Sequence, residues 1–276
     1  METITSEILT ENPAFAWRKL AGVTALVCVE LEREGFANAF STRLGGVSAL
    51  PREALNLAGF DDDTAENIYE NRRRFVNIFG TRWHLMTAVQ THGADIHVVA
   101  SRTDARADTA HADALATDLP NILLGVKTAD CVPILLGDAR TGACAAIPGG
   151  WRGTRAGIVT RAIDLMAGEF NTRPADLCAA IGPAALACCY EVGPEVIDAF
   201  VRKNEGAASL FTFTRDYHGR IDLHEANRRL LVAAGLQSER VHIAPLCTMC
   251  RTDLFFSYRR ERPSFGRLLS VVGRSL

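Results

Sequence analysis

The run NILLGVKTADCVPILLGDARTGACAAIPGGWRG, residues 121–153, holds three apolar segments separated by short polar breaks. The segments 121–126, 131–136 and 142–147 are rich in Ile, Leu, Val and Ala. Each is too short for a helix, so each reads as a buried strand. The first two are too close in sequence for a helical crossover, which predicts antiparallel neighbours. Further strand-like runs stand at 24–31, 36–41, 95–100, 177–182, 240–244 and 267–273. Helical periodicity marks 64–79, 154–169, 194–203 and 222–234, with Asp222 and Glu225 at capping-box spacing in the last. Strands and helices alternate without a βαβ rhythm. The pattern predicts an α+β (mixed α/β) sandwich rather than a doubly wound parallel sheet.

The chain has 276 residues and a formal net charge of −2, with 48% apolar and 22% charged residues. Residues 21–276 are read as one domain behind a loose segment 1–20. The charge balance gives no global attraction to nucleic acid or to an anionic membrane. The basic stretch NRRRF, 71–75, is read as the solvated face of a helix. No run is long and apolar enough to span a bilayer, and METITSEILTENP lacks the features of a secretory signal. Eight cysteines without such a signal point to a cytoplasmic protein with free thiols. No glycine-rich phosphate loop of the nucleoside triphosphate or dinucleotide type is present. Oligomeric state is not readable from the sequence.

Three polar clusters interrupt the apolar segments: VQTHGAD with Gln90, His92 and Asp95; KTADC with Asp130 and Cys131; and GGWRG leading into a helix. A cysteine and a histidine can form a nucleophilic dyad, or can bind zinc with a third ligand. Glycines ahead of a helix, with Arg152 beside them, offer donors to phosphate or carboxylate. Cys247-Thr248-Met249-Cys250 has CxxC spacing but no second clear ligand pair, since adjacent Cys188-Cys189 is poorly matched to it. These four are read as reduced structural thiols.

The ordered motifs FSTRLGGVS (40–48), LNL (55–57), ENRRRF (70–75), QTHG (90–93), ADAL (112–115), TADCVPILL (128–136), GWRG (150–153), IGP and CCYEVG (181–193) and FFSYRR (255–260) resemble the YfiH-like laccase-domain family. That family is also known as multicopper polyphenol oxidase or purine nucleoside phosphorylase proteins. The resemblance implies one α/β domain with a fold similar to that of deamidating toxins that use a Cys–His pair. It implies zinc-dependent phosphorolysis of purine nucleosides and deamination of adenosine, with phosphate and the nucleoside as partners. Copper-linked phenol oxidation and amide hydrolysis of peptidoglycan precursors are also ascribed to members. The metal triad falls on His92, Cys131 and a third position occupied here by Pro148, which has no ligand atom. Asn38 and AGFDDD (58–63) also depart from the family pattern. Copper is disfavoured, because seven scattered histidines cannot hold several coppers.

Residue roles follow from type. Cys131, His92 and Asp130 are the catalytic candidates, with Asp130 orienting His92 or a ligand water. Arg43 and Arg152 are candidates for phosphate or carboxylate. Gln90 and Tyr258 are candidates for reading a purine edge. Three functions stay open: a family enzyme using a Cys131–His92 dyad or a weakly held zinc, a catalytically quiet nucleoside-binding member, and a thiol-dependent amide hydrolase.

Overall fold

The computed structural model describes residues 12–50, 53–102, 110–202 and 205–275. Two six-stranded sheets face each other. The first runs β1 (Phe15–Leu20), β2 (Val23–Cys28), β3 (Phe36–Ser41), β16 (Leu268–Arg274), β8 (Ile122–Thr128), β5 (His84–Thr87). The second runs β15 (Val241–Ile243), β11 (Leu177–Ile181), β9 (Val132–Asp138), β10 (Cys144–Gly149), β7 (Ala114–Thr117), β6 (Ile96–Val98). A small third sheet joins β12 (Glu191–Val192), β14 (His218–Ile221) and β13 (Phe211–Arg215).

Each central strand is buried on both faces, which is why its sequence is a continuous apolar run rather than an alternation. Leu124 and Val126 of β8 and Leu135 of β9 share one core with Leu115, Ala146 and Ala180 between the two sheets. Ile134, Leu136, Ala145 and Ile147 point the other way, into a second core. That core is closed by α4 (Ile158–Phe170), α5 (Pro194–Val201) and α6 (Leu223–Ala233). Leu123, Leu269 and Val271 form a third core beneath α2 (Ala65–Asn77). The layers are therefore helix, sheet, sheet, helix. The sheets approach closely where side chains are missing: a Cβ on Gly137 would sit 2.6 Å from Phe36, and one on Gly182 2.2 Å from Phe40.

The α+β sandwich is as expected, but the pairing of the first two apolar runs is not. β8 pairs with β16 and β5, whereas β9 pairs with β10 and β11. The segment 129–131 carries the chain from one sheet to the other instead of turning a hairpin. Periodicity reports burial and says nothing about which neighbour a strand takes. The expected helix 154–169 is two helices, α3 (Trp151–Ala156) and α4, broken where Gly157 adopts φ +79°. Of the segment expected to be loose, residues 1–11 lie outside the described residues, and Phe15–Leu20 is an edge strand paired with β2. Asp222 caps α6 by accepting from Glu225 N at 2.9 Å. The reciprocal half of the capping box is absent among the described contacts, because Glu225 pairs with Arg228 and Arg229.

Among the described residues no helix is long and apolar enough to cross a membrane. The NRRRF run sits on α2, where Arg73 and Arg74 pair with Glu70, while Asn71 and Arg72 turn inward. Asn38 is a buried clamp, accepting from Cys28 N at 2.7 Å and donating to Cys28 O at 3.0 Å. Asn71 does similar work, accepting from Val47 N and donating to Ser48 Oγ and the carbonyls of Ala54 and Asn56. Asn71→Ala leaves several buried groups without partners, each worth about 1–3 kcal/mol. The expected loss is about 3 kcal/mol, read as a lower urea midpoint with an unchanged slope; a midpoint equal to wild type would contradict this role.

Candidate functional site

His92 and Cys131 lie on two turns that each carry the chain from the first sheet to the second, and both line one cavity of about 860 Å³. His92 follows β5 in the loop that leads to β6, and Cys131 immediately precedes β9. His92 has φ +62° and Asp130, next to Cys131, has φ +87°. Non-glycine residues hold this left-handed conformation at a cost of roughly 1–3 kcal/mol, so surrounding contacts must enforce it. In the His92 loop that contact is Asp113. Its carboxylate accepts from Thr91 N (2.9 Å), His92 N (2.6 Å), Gly93 N (2.8 Å) and Thr91 Oγ1 (3.2 Å).

Asp130 serves the other turn in the same manner. Its Oδ1 accepts from Thr248 Oγ1 at 2.6 Å, and its Oδ2 accepts from Ser257 Oγ at 3.0 Å and Arg259 N at 2.7 Å. Its own carbonyl accepts from Ala185 N at 2.9 Å. None of these partners is His92, so the described contacts give Asp130 the work of fastening three chain segments together.

Cys131 is packed against the start of α3, where a Cβ on Gly150 would come within 2.7 Å of its sulfur. Burial, with the nearby Asp130 charge, pushes its thiol up to about 11, while Arg152 pulls the other way. Both burial and the neighbouring carboxylate therefore favour the protonated thiol. Pro148 also lines the cavity. It faces Pro133 across the β10–β9 ladder, a pairing that works because neither residue has an N–H to contribute.

The remaining expected residues divide. Arg152 and Tyr258 line the same cavity. Arg152 stacks over the Trp151 ring at 4.3 Å, and its donors have no hydrogen-bond partner among the described residues. Tyr258 packs edge-on against Phe265 at 4.9 Å and accepts from Arg262 at 2.9 Å. Gln90 lines the cavity too, but both ends of its amide are engaged by Lys127: Oε1 accepts from Lys127 N at 2.8 Å and Nε2 donates to Lys127 O at 3.0 Å. It braces β8 through both ends of its amide.

Arg43 lies outside this cavity. It donates to Glu261, to the carbonyls of Thr252 and Leu50, and lies over the Phe256 ring. Its guanidinium is a bracket between loops, which sequence alone could not distinguish from a ligand-binding one. Two residues that motif reading did not assign also enter the site. They are Asp113, from ADAL, and Arg259, which lies over the Tyr190 ring at 5.2 Å.

The cavity wall carries Arg72, Lys127, Arg152, Arg259 and Arg267 against three carboxylates, two of which, Asp113 and Asp130, are already saturated by donors. Five aromatic rings, Phe60, Trp151, Tyr190, Tyr258 and Phe265, share it. Lys127 is engaged by Ala88 O and Arg267 by Phe265 O and Asp62, so Arg152 is the wall cation best placed to meet an anion, and aromatic faces suit a planar base.

The sequence profile of the family described as multi-copper polyphenol oxidoreductase laccase matches residues 37–275. The chain belongs to this family. It is 35% identical over 251 residues to purine nucleoside phosphorylase YlmD of Geobacillus stearothermophilus, covering 87% of this chain and 90% of that one. Purine nucleoside phosphorylase YfiH of Escherichia coli is 31% identical, covering 87% and 94%. The crystal structure of a Bacillus licheniformis protein, hypothetical protein YfiH, superposes with a TM-score of 0.86 at 33% identity, covering 94% of this chain and 99% of that one. The G. stearothermophilus YlmD crystal structure also gives 0.86, at 32% identity, with the same two coverages.

The zinc implied by the family resemblance needs three protein ligands. His92 and Cys131 are the two ligand types present, and Pro148 supplies none. Among the described residues no set of three His, Cys, Asp or Glu ligand atoms gathers in this cavity; such a set occurs elsewhere in the fold. The donor set does not fit a three-ligand zinc centre.

The neutral state of Cys131 has a direct readout. Its alkylation by iodoacetamide, followed on the Cys131 peptide by mass spectrometry, is expected to quicken about tenfold per pH unit from pH 7 to 9. A rate that levels off below pH 8 would show a thiolate already formed.

Proposed function

We propose that the chain is an enzyme of the purine nucleoside phosphorylase type, and that its reaction takes place in the cavity shared by His92, Cys131 and Arg152. The observation that carries the reading is the coexistence of cationic and aromatic walls around His92 and Cys131. The names of the similar proteins support the same substrate class. The base stacks among the aromatic rings, and phosphate is held by Arg152, whose fork of donors suits a tetrahedral anion.

A phosphate oxygen attacks C1′ of the ribosyl group as the glycosidic bond breaks. The bonding pair leaves with the purine, and His92 supplies the proton that the departing base takes up. The products are ribose 1-phosphate and the free base. Cys131, whose burial and neighbouring Asp130 disfavour the thiolate, packs against Gly150 on the wall of the site rather than attacking. This sets the reading apart from thiol-dependent amide hydrolysis, which needs a thiolate. No metal takes part in the reaction as written. The free state of all eight cysteines supports a reducing, cytoplasmic setting.

The decisive assay incubates purified protein with adenosine or inosine, with and without phosphate and added zinc, and quantifies nucleosides and bases by chromatography. Base release dependent on phosphate is expected, and His92→Ala lowers kcat about 100-fold. Arg152→Ala raises the phosphate KM about tenfold with a smaller change in the nucleoside KM. Turnover by Pro148→His alone would instead mark the native chain as a nucleoside-binding member. Silence from both proteins, with no nucleoside bound, would remove the reading.

A further inference from the structure

The four cysteines outside the cavity meet. Cys188 and Cys189 end the loop after β11, and Cys247 and Cys250 belong to the loop after β15. All four sulfurs lie within 4.8 Å of one another, with Cys189 Sγ 3.2 Å and Cys188 Sγ 3.5 Å from Cys250 Sγ. The expectation that the adjacent pair is poorly matched to the CxxC pair is therefore corrected. Sequence spacing measures each pair separately and cannot see a loop 60 residues away fold back onto it.

We propose that Cys188, Cys189, Cys247 and Cys250 form a structural tetrathiolate site for one zinc ion. Sulfurs at about 2.3 Å from a tetrahedral zinc stand about 3.8 Å apart, so the observed separations bracket the required ones. Two disulfides would single out two pairs at bond distance, whereas here Cys250 is near two partners at once. Soft thiolates in a four-sulfur set select zinc or iron over magnesium and calcium.

The backbone is already shaped for a clamp. Ala184 and Cys247 form a parallel bridge, Ala184 N donates to Leu246 O at 3.2 Å, and Thr248 N donates to Ala184 O at 2.9 Å. Arg260 brings a guanidinium to this corner, donating to Met249 O at 3.3 Å, and its charge offsets the negative charge of a zinc tetrathiolate. The site would tie the loop bearing Tyr190 to the loop whose Thr248 holds Asp130. Its role is to fix two walls of the cavity. It is separate from His92 and Cys131 and does not depend on the proposed reaction.

The test is metal analysis of the full chain purified without chelator. One zinc per chain is expected, lost in Cys188→Ser and Cys250→Ser and retained in Cys131→Ala and His92→Ala. Cobalt exchanged into the native protein should give the intense visible bands of a tetrahedral thiolate complex, a readout that needs no folded variant. Removing zinc should lower Tm. Retention of zinc by the Cys188 and Cys250 variants with loss from Cys131→Ala would overturn the assignment. So would iron in place of zinc, a disulfide among the four found by mass, or four freely titrating thiols in native protein saturated with zinc.

Discussion

The Asp130 carboxylate is the contact on which the two-sheet arrangement around the cavity depends. The chain must leave β8 in one sheet and enter β9 in the other within three residues, and it does so through a left-handed Asp130. That conformation is unfavourable by itself, and a buried carboxylate is unfavourable without donors. Donors from Thr248, Ser257 and Arg259 resolve both problems together. They draw the loop 246–259 onto the crossover, and Ala185 N, donating to the Asp130 carbonyl, brings in the loop 184–190, so that one turn joins the segments bearing Cys131, Tyr190 and Arg259.

Asp113 repeats the solution on the facing turn. It lies at the start of β7 and reaches three consecutive N–H groups of the Thr91–Gly93 loop. Charge-assisted bonds of this kind are the stronger class and hold a strained loop without adding bulk inside the cavity. Two acidic residues that might have been taken for acid–base groups thus have their oxygens committed to backbone and hydroxyl donors. His92 and the cations line the same cavity, and among the described contacts their side chains are not bound by these two carboxylates.

The strands were legible wherever burial on both faces wrote a continuous apolar run, as at 121–126, 131–136, 142–147 and 267–273. Their partners were not, because β8 and β9 carry the same composition in two different sheets. Arg152 and Tyr258 could be placed at the site by motif, yet Arg43 and Gln90 carried equally good motif credentials and turned out to be braces. The difference lies in which carbonyls, amides and carboxylates come within reach, and that is a property of the assembled fold. Asp113 and the four-cysteine cluster were hidden for the same reason, each joining segments far apart in sequence.

Pro148 shows how the scaffold can change its chemistry while keeping its shape. The last β10–β7 pair is Ala146 with Leu115, so residue 148 lies beyond that ladder, and on its other side it meets Pro133. A proline there is compatible with the ladder, since its facing residue Pro133 also lacks an N–H. What changes is the donor set facing Cys131. Burial, and after it the nearby Asp130 charge, push the Cys131 thiol up. Arg152 is the cation left to oppose that effect, and it does not reverse it. The same carboxylate that permits the crossover therefore adds to the effect of burial on the cysteine beside it, and one residue couples the path of the chain to the electrostatics of the cavity.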